Sequence, residues 1–217
     1  MSHNLPLSEL LRPKTFAELT LPERTISGLK QMLEAESPAN MLFFGPPGTG
    51  KTSAARIFLE APWQPVSLVV DGSNDNGVGY MRRELEGFTR SPFYGDGLKI
   101  CFIDDGDFLS IPAQAALRGI IERSYSQCRF IIAVNDVTKI DKAVRSRLLP
   151  INFAISKADS EGVLERMQER VSRKLVELGR SINRERLNRI VSDTLWDLRL
   201  MANKIEFELG GDAACSI

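Results

Sequence analysis

The sequence predicts an α/β fold: a five-stranded, mainly parallel sheet between helices over residues 1–153, then a small all-helical domain over residues 154–217. Three observations carry this. Five short apolar runs, MLFF (41–44), VSLVV (66–70), KICFI (99–103), RFIIAV (129–134) and PINF (150–153), have strand length and are rich in β-branched or aromatic residues. Helix-like stretches separate them. After Phe153 the periodicity becomes helical only.

The elements follow in order. None of the five runs alternates cleanly with polar residues, so each is expected to be a strand covered on both faces. GKTSAARIFLE (50–60) follows the first run, YMRRELEGFTR (80–90) the second, IPAQAALRGIIERS (111–124) the third and KAVRSRL (142–148) the fourth. Strands alternating with helices point to parallel pairing. In the next stretch Val163, Leu164, Met167, Val171, Leu175 and Leu178 recur at helical spacing, with Asp159 or Ser160 as the expected cap and Gly179 as the stop. RERLNRIVSD (184–193) and LWDLRLMANKIEFELGG (195–211) predict two more helices, the last closed by Gly210 and Gly211. A helical domain this small is expected to dock on the α/β part.

Composition narrows the function classes. The chain is 43% hydrophobic and 26% charged, as in soluble globular proteins. No apolar run approaches the roughly 20 residues of a membrane span, and the opening MSHNLPLSELLRPK has no secretory pattern. Formal net charge is zero, so any contact with nucleic acid must come from a local patch. Cys101, Cys128 and Cys215 are widely spaced and His3 is the single histidine, which excludes a zinc constellation and predicts reduced thiols in a cytoplasmic setting.

The chemistry begins at GPPGTGKT. Gly45, Pro46, Pro47, Gly48, Thr49, Gly50, Lys51 and Thr52 match G-x-x-x-x-G-K-[ST] in full, directly after a strand and opening a helix. The glycines let backbone N–H groups cradle phosphate oxygens, and the helix N-terminus adds positive potential. Lys51 is expected to reach the β- and γ-phosphates of ATP, and Thr52 to offer its hydroxyl to Mg²⁺.

A phosphate loop needs a metal partner on a neighbouring strand. Asp104, at the end of the third run, is placed for it. Asp105 stands where a general base belongs, but is shorter than glutamate by roughly 1.5 Å. A misplacement of that order costs about 100-fold in rate. Asp105 is therefore either a slow base or a solvated acid at a strand end.

Taken together, GPPGTGKT, FIDDGDFLSIPAQAALRGIIE (102–122), RFIIAVND (129–136) and VRSRLLPINF (144–153) resemble the AAA+ ATPase subunits of sliding-clamp loaders, both replication factor C small subunits and the corresponding ATPase of T-even phages. The resemblance spans about residues 10 to 210. It implies a AAA+ P-loop fold in which the helical domain is a lid. By the same resemblance LRPKTFAEL, with Arg12 and Pro13, lies near the adenine. Asn135 is similar to sensor 1, which positions the attacking water. Arg147 resembles the finger that reaches a neighbouring subunit's site, an interaction worth ~10³–10⁵ in rate; Arg145 competes for that role, and Leu148 departs from the family's Cys. Arg199 resembles the sensor 2 arginine acting in cis. The family reads Asp-Glu-Ala-Asp where this chain has Asp104-Asp105-Gly106-Asp107. That departure bears on hydrolysis, not on ATP binding.

NGVGYMRRELEGF (76–88) resembles the family segment whose arginine touches DNA phosphate. This implies Arg82, with Arg83 and Lys139 beside it, although two arginines also suit a solvated helix face. The implied partners are a sliding clamp, primer–template DNA and other loader subunits, at a cytoplasmic, nucleoid or nuclear site of replication and with no membrane. The family's helical collar has no counterpart in the sequence. Two other functions stay open: an ATP-controlled assembly module with little turnover, and another AAA+ DNA-remodelling ATPase.

Overall fold

The computed structural model describes residues 5–35, 38–63, 65–92, 98–194 and 196–214. His3 and Cys215, and Leu195 at the expected start of the last helix, lie outside them. Five strands, β1 (Met41–Phe44), β2 (Val66–Asp71), β3 (Lys99–Asp104), β4 (Cys128–Val134) and β5 (Leu149–Asn152), form one sheet in the order β2-β3-β4-β1-β5. Every pairing is parallel.

Alternate residues of the central strands serve two apolar layers. Leu42, Cys101, Ile103, Phe130, Ile132 and Val134 face α6 (Ile111–Arg123), α7 (Lys142–Arg145) and the 78–90 helical segment. Met41, Phe43, Ile100, Phe102, Ile131 and Ala133 face α2 (Glu23–Glu34) and α3 (Lys51–Leu59). The expectation of two covered faces fails for the outer strands. Val66 and Val69 of β2 are 45% and 56% exposed, and Leu149 of β5 is 43% exposed. The flanking helices roof β3, β4 and β1 and stop short of the edges. Pro150, which lacks an N–H, sits on the β5 edge and discourages further pairing there.

The segment expected as one helix over 80–90 runs as α4 (Val78–Tyr80), a π turn (Met81–Leu85) and α5 (Glu86–Arg90). Its C-terminus is held from outside. Lys99, 1% exposed at the start of β3, donates from Nζ to Phe88 O at 2.8 Å, to Ser91 Oγ at 3.0 Å and to Ser91 O. A buried ammonium thus meets carbonyls that a helix end leaves without donors.

After β5 the chain is helical: α8 (Ser160–Glu177), α9 (Arg184–Asp193) and α10 (Leu198–Ala214). Asn183 caps α9, accepting the Glu185 N–H. Asp159 does not cap α8; its carboxylate accepts from Ser156 Oγ and pairs with Arg24 instead. Gly179 ends α8 as expected, at φ +67°, with Arg180 N–H bonding back to Leu175 O. Gly210 and Gly211 do not close α10, which continues to Ala214; a helix anchored in the core by Met201, Ala202 and Ile205 tolerates the glycine cost of about 1 kcal/mol. The helical core takes two residues from the other end of the chain. Leu7, in α1 (Leu7–Leu10), and Leu11 are buried with Met167, Val171, Leu187, Met201 and Ile205. Phe16, Leu19 and Leu21 then enter the core under α2 and α3.

Cys101 and Cys128 are buried free thiols; burial pushes Cys101 well up and Cys128 to about 12, which keeps both as inert thiols. Lys99→Met is expected to leave the Phe88 and Ser91 carbonyls short of a donor. It should cost about 2–3 kcal/mol, a fall of roughly 4–12 °C in Tm, read by thermal unfolding.

Candidate functional site

Strand order assembles the site. β3, β4 and β1 are neighbours running in one direction, so their C-terminal ends deliver Asp104, Asn135 and the loop 45–52 to one edge of the sheet. Open parallel sheets bind ligands at this edge. A cleft there is lined by Pro47, Gly48, Gly50, Lys51, Thr52, Asp104, Asp105, Asn135 and Arg199, with Ser8, Glu9 and Arg12 along its rim.

The loop has the shape an anion requires. Gly45, Gly48 and Gly50 have φ of +144°, +74° and +95°. No side chain caps the first turn of α3 and no acid occupies it, so its amides and dipole are left to a ligand. Thr49 Oγ1 donates to Pro46 O at 2.9 Å and fixes the loop from within. Gly45, Pro46 and Thr49 shape the cradle without lining the cleft.

Lys51 is 8% exposed. Its three protons reach Gly45 O at 2.8 Å, Pro46 O at 2.7 Å and Asn135 Oδ1 at 2.9 Å. Burial lowers its pKa, while Asp104, Asp107, Asp105 and Asp197 pull it back up. Phosphate oxygens are the natural replacement for these acceptors.

Thr52 Oγ1 donates to Asp104 Oδ2 at 2.9 Å, and Asp105 N–H to Asp104 Oδ1 at 3.1 Å. A hydroxyl and a carboxylate together begin an oxygen-only site suited to Mg²⁺. Among the described residues no group of three or more His, Cys, Asp or Glu can hold a metal. An ion between Thr52 and Asp104 would therefore take its remaining oxygens from phosphate and water, which fits a metal that arrives with a nucleotide.

Asp105 leaves the strand in the left-handed region, φ 49° and ψ 42°. Its carboxyl stands above the ordinary aspartate range, first through burial, then through Asp104, Asp71 and Asp107, with Arg199 opposing. It is thus a stronger base than a free aspartate.

The helical region closes one side. Asp197 Oδ1 accepts the N–H groups of Arg199 and Leu200, both at 3.0 Å, and so caps α10. The same carboxylate lies against the loop: a Cβ on Gly48 would stand 2.2 Å from Asp197 Oδ1. Leu198 N–H donates to Gly48 O at 3.3 Å. Trp196, just before, is held at φ +77°, a conformation that costs a bulky side chain energy and that clusters at functional sites. Glycine at 48 and the capping aspartate together let α10 bring Arg199 to the cleft.

Other expected site residues stand elsewhere. Arg12 is at the rim, its Nε bonded to Glu9 Oε2 at 2.9 Å. Pro13 lines an adjoining charged cleft with Arg56 and Arg170, which shares Glu9 and Arg12 with the first. The helix expected over 142–148 ends at Arg145, because Arg147 and Leu148 bond back only three residues, in a tight turn leading into β5. Arg147 lies outside the cleft, its Nε bonded to Glu122 Oε1 at 2.8 Å. Arg145 Nε is buried without a hydrogen-bond partner. Arg82 is exposed, Arg83 pairs with Glu84 at 2.9 Å, and Lys139 Nζ lies 5.9 Å from the Phe108 ring centre; none of the three lines the cleft. Sequence reasoning gave no role to Asp107, Asp197 or Glu9. The third acid of Asp104-Asp105-Gly106-Asp107 was the available signal for the first; nothing local marked the other two.

The raised pKa of Asp105 means that the folded state favours its protonated form. The stability it withholds at pH 7 returns only as pH falls through that raised value. Asp105→Asn is therefore expected to raise Tm at pH 7. Exposed charges are worth about 0.2–1 kcal/mol, so the rise should be roughly 0.4–4 °C, shrinking toward acid pH in calorimetry; a Tm that falls at pH 7 contradicts the electrostatic account.

Comparison with known proteins gives this geometry a context. The chain is 35% identical over 150 residues to the replication factor C small subunit of Archaeoglobus fulgidus, covering 67% of this chain and 47% of that protein. It is 32% identical to the Methanosarcina acetivorans replication factor C small subunit, covering 74% and 48%. The chain thus spans about half the length of the curated relatives it matches. Its fold is similar to that of Thermotoga maritima RuvB, a Holliday junction branch migration motor, with a TM-score of 0.72 at 21% identity, over 89% of this chain and 63% of that one. Residues 41–154, more than half of the chain, match the ATPase family associated with various cellular activities, and the chain belongs to this AAA family.

Proposed function

We propose that this chain is the ATP-hydrolysing module of a DNA-replication sliding-clamp loader, working with primer–template DNA, a sliding clamp and other loader subunits. One observation carries the reading: the phosphate loop, Thr52–Asp104, Asp105, Asn135 and Arg199 converge on a single cleft, while Arg147 is held outside it. The likeness to replication factor C small subunits supports it. Residues 1–153 act as the nucleotide-binding domain and 154–217 as its lid.

In this mechanism the loop amides and Lys51 bind the phosphates of ATP. Thr52 and Asp104 hold Mg²⁺, which when bound offsets phosphate charge. Asn135 orients a water, and Asp105 accepts its proton as the water oxygen bonds to the γ-phosphorus. The bond from that phosphorus to the β–γ bridging oxygen breaks, leaving ADP and phosphate. Arg199 from the lid meets the charge on the γ-phosphate, and Arg147 serves the site of an adjacent subunit. Arg82, Arg83 and Lys139 contact DNA phosphates, independent of sequence. Arg12 and Pro13 lie along the adenine side.

The short reach of Asp105 favours a second reading, a module that binds ATP to control assembly and turns over little. ATPase assays with and without primer–template DNA and a clamp separate the two. DNA and clamp together are expected to raise turnover, Asp105→Ala to lower it, and Asp105→Glu to raise it by up to about 100-fold. Turnover that ignores DNA, clamp and Asp105→Ala alike leaves only the binding module. Arg82→Ala is expected to weaken DNA binding equally across sequences and to reduce the slope of log K against log salt by about 0.9; unchanged affinity in a fluorescence titration removes Arg82 from the interface.

A further inference from the structure

We propose that Asp107 is a positioning residue, which sets where the Asn135 side chain stands relative to Lys51 and the phosphate that Lys51 meets. The proposal rests on the ATPase reading above. Asp107 does not line the cleft. Its Oδ2 accepts the N–H of Asn135 at 2.6 Å and its Oδ1 the N–H of Asp136 at 2.9 Å. One carboxylate therefore grips two consecutive amides, and both bonds are charge-assisted.

The grip falls where the sheet has stopped working. The β3–β4 ladder ends at Ile103 and Ile132, and the β1–β4 ladder at Phe44 and Val134. Asn135 lies one residue beyond the last pair with β1 and further still beyond the last pair with β3. Past the ladders, Asp107 supplies the acceptors for the Asn135 and Asp136 amides. Gly106 explains the reach: a Cβ there would stand 2.8 Å from Ile132 Cγ2, so only glycine lets the turn after β3 lie this close under β4. From the backbone so fixed, Asn135 Oδ1 meets Lys51 Nζ at 2.9 Å. The third acid of the strand-end motif thus acts on the lysine of the phosphate loop through the intervening strand.

The test is a double-mutant cycle on Asp107 and Asn135, read by affinity for ADP–aluminium fluoride, a mimic of the transferring phosphoryl group, beside affinity for ADP alone. Asp107→Ala and Asn135→Ala are each expected to weaken the mimic by about 10-fold or more, with ADP affinity changed by less than about twofold. In the Asn135→Ala background, Asp107→Ala should add less than about twofold, because the two act as one unit. Fully additive losses, or equal losses for ADP and the mimic, overturn the positioning role. Amide exchange on the nucleotide-free protein gives an independent readout: the Asn135 and Asp136 amides should exchange about 10-fold faster or more in Asp107→Ala, and unchanged exchange overturns the proposal by itself. Asp107→Asn, which keeps one acceptor oxygen, shows the same pattern at smaller size and serves if the alanine variant fails to fold. A wild-type chain that binds no ADP, yet shows the exchange effect, overturns the ATPase reading and the catalytic part of this one.

Discussion

Everything at the site depends on β4 lying between β3 and β1 with all three parallel. Parallel neighbours must end on the same edge, so the topology itself sets an acid, an amide and a phosphate loop side by side. No loop has to travel. The helices on each face then serve to keep the three strands dry on both sides. That is why the central strands are buried through their length while β2 and β5, which bring fewer groups to the cleft, are left half open.

The cost of this convergence is visible around the cleft. Asp71, Asp104, Asp105 and Asp107 crowd one corner, and the carboxyl of Asp105 is pushed up, first by burial and then by its acidic neighbours. Lys51 is buried with three acceptors but no direct carboxylate partner. Asp105 and Trp196 hold positive φ. A fold selected for stability alone would relieve each of these. Their concentration around one cleft is what a site for a charged, metal-bearing ligand requires, since such a ligand brings both the anion that Lys51 lacks and the cation that the aspartates lack.

Much of the fold was legible in the sequence because its signals are local. Apolar runs broken by helix-length stretches placed all five strands, and the G-x-x-x-x-G-K-T spacing placed the loop. The pairing of Thr52 with Asp104 followed from two local motifs. Most of what escaped was set by contacts between elements. Exposure of Val69 depends on which helix lies over β2. Whether Asp159 caps α8 depends on Ser156 and Arg24 competing for its carboxylate. Gly210 and Gly211 read as a stop, but the helix runs on. Asp107 was plain in the motif, yet its role depends on where β4 ends in space. The burial of Leu7 and Leu11 among helices more than 150 residues away had no local signal at all.

That last contact bears on how the chain reaches its native state. Leu7 N–H bonds to Glu206 Oε1 at 2.7 Å across 199 positions of sequence. A ribosome makes α1 long before α10, so Leu7 waits for Met201 and Ile205 while the α/β layers are made. The α/β layers can close earlier, from contacts nearer in sequence; the helical core cannot close until α10 has emerged. The N-terminal turn therefore locks only after α10 is made. Because Glu9 and Arg12 lie by that turn at the cleft, the nucleotide edge of the molecule is finished only when α1 has met α10.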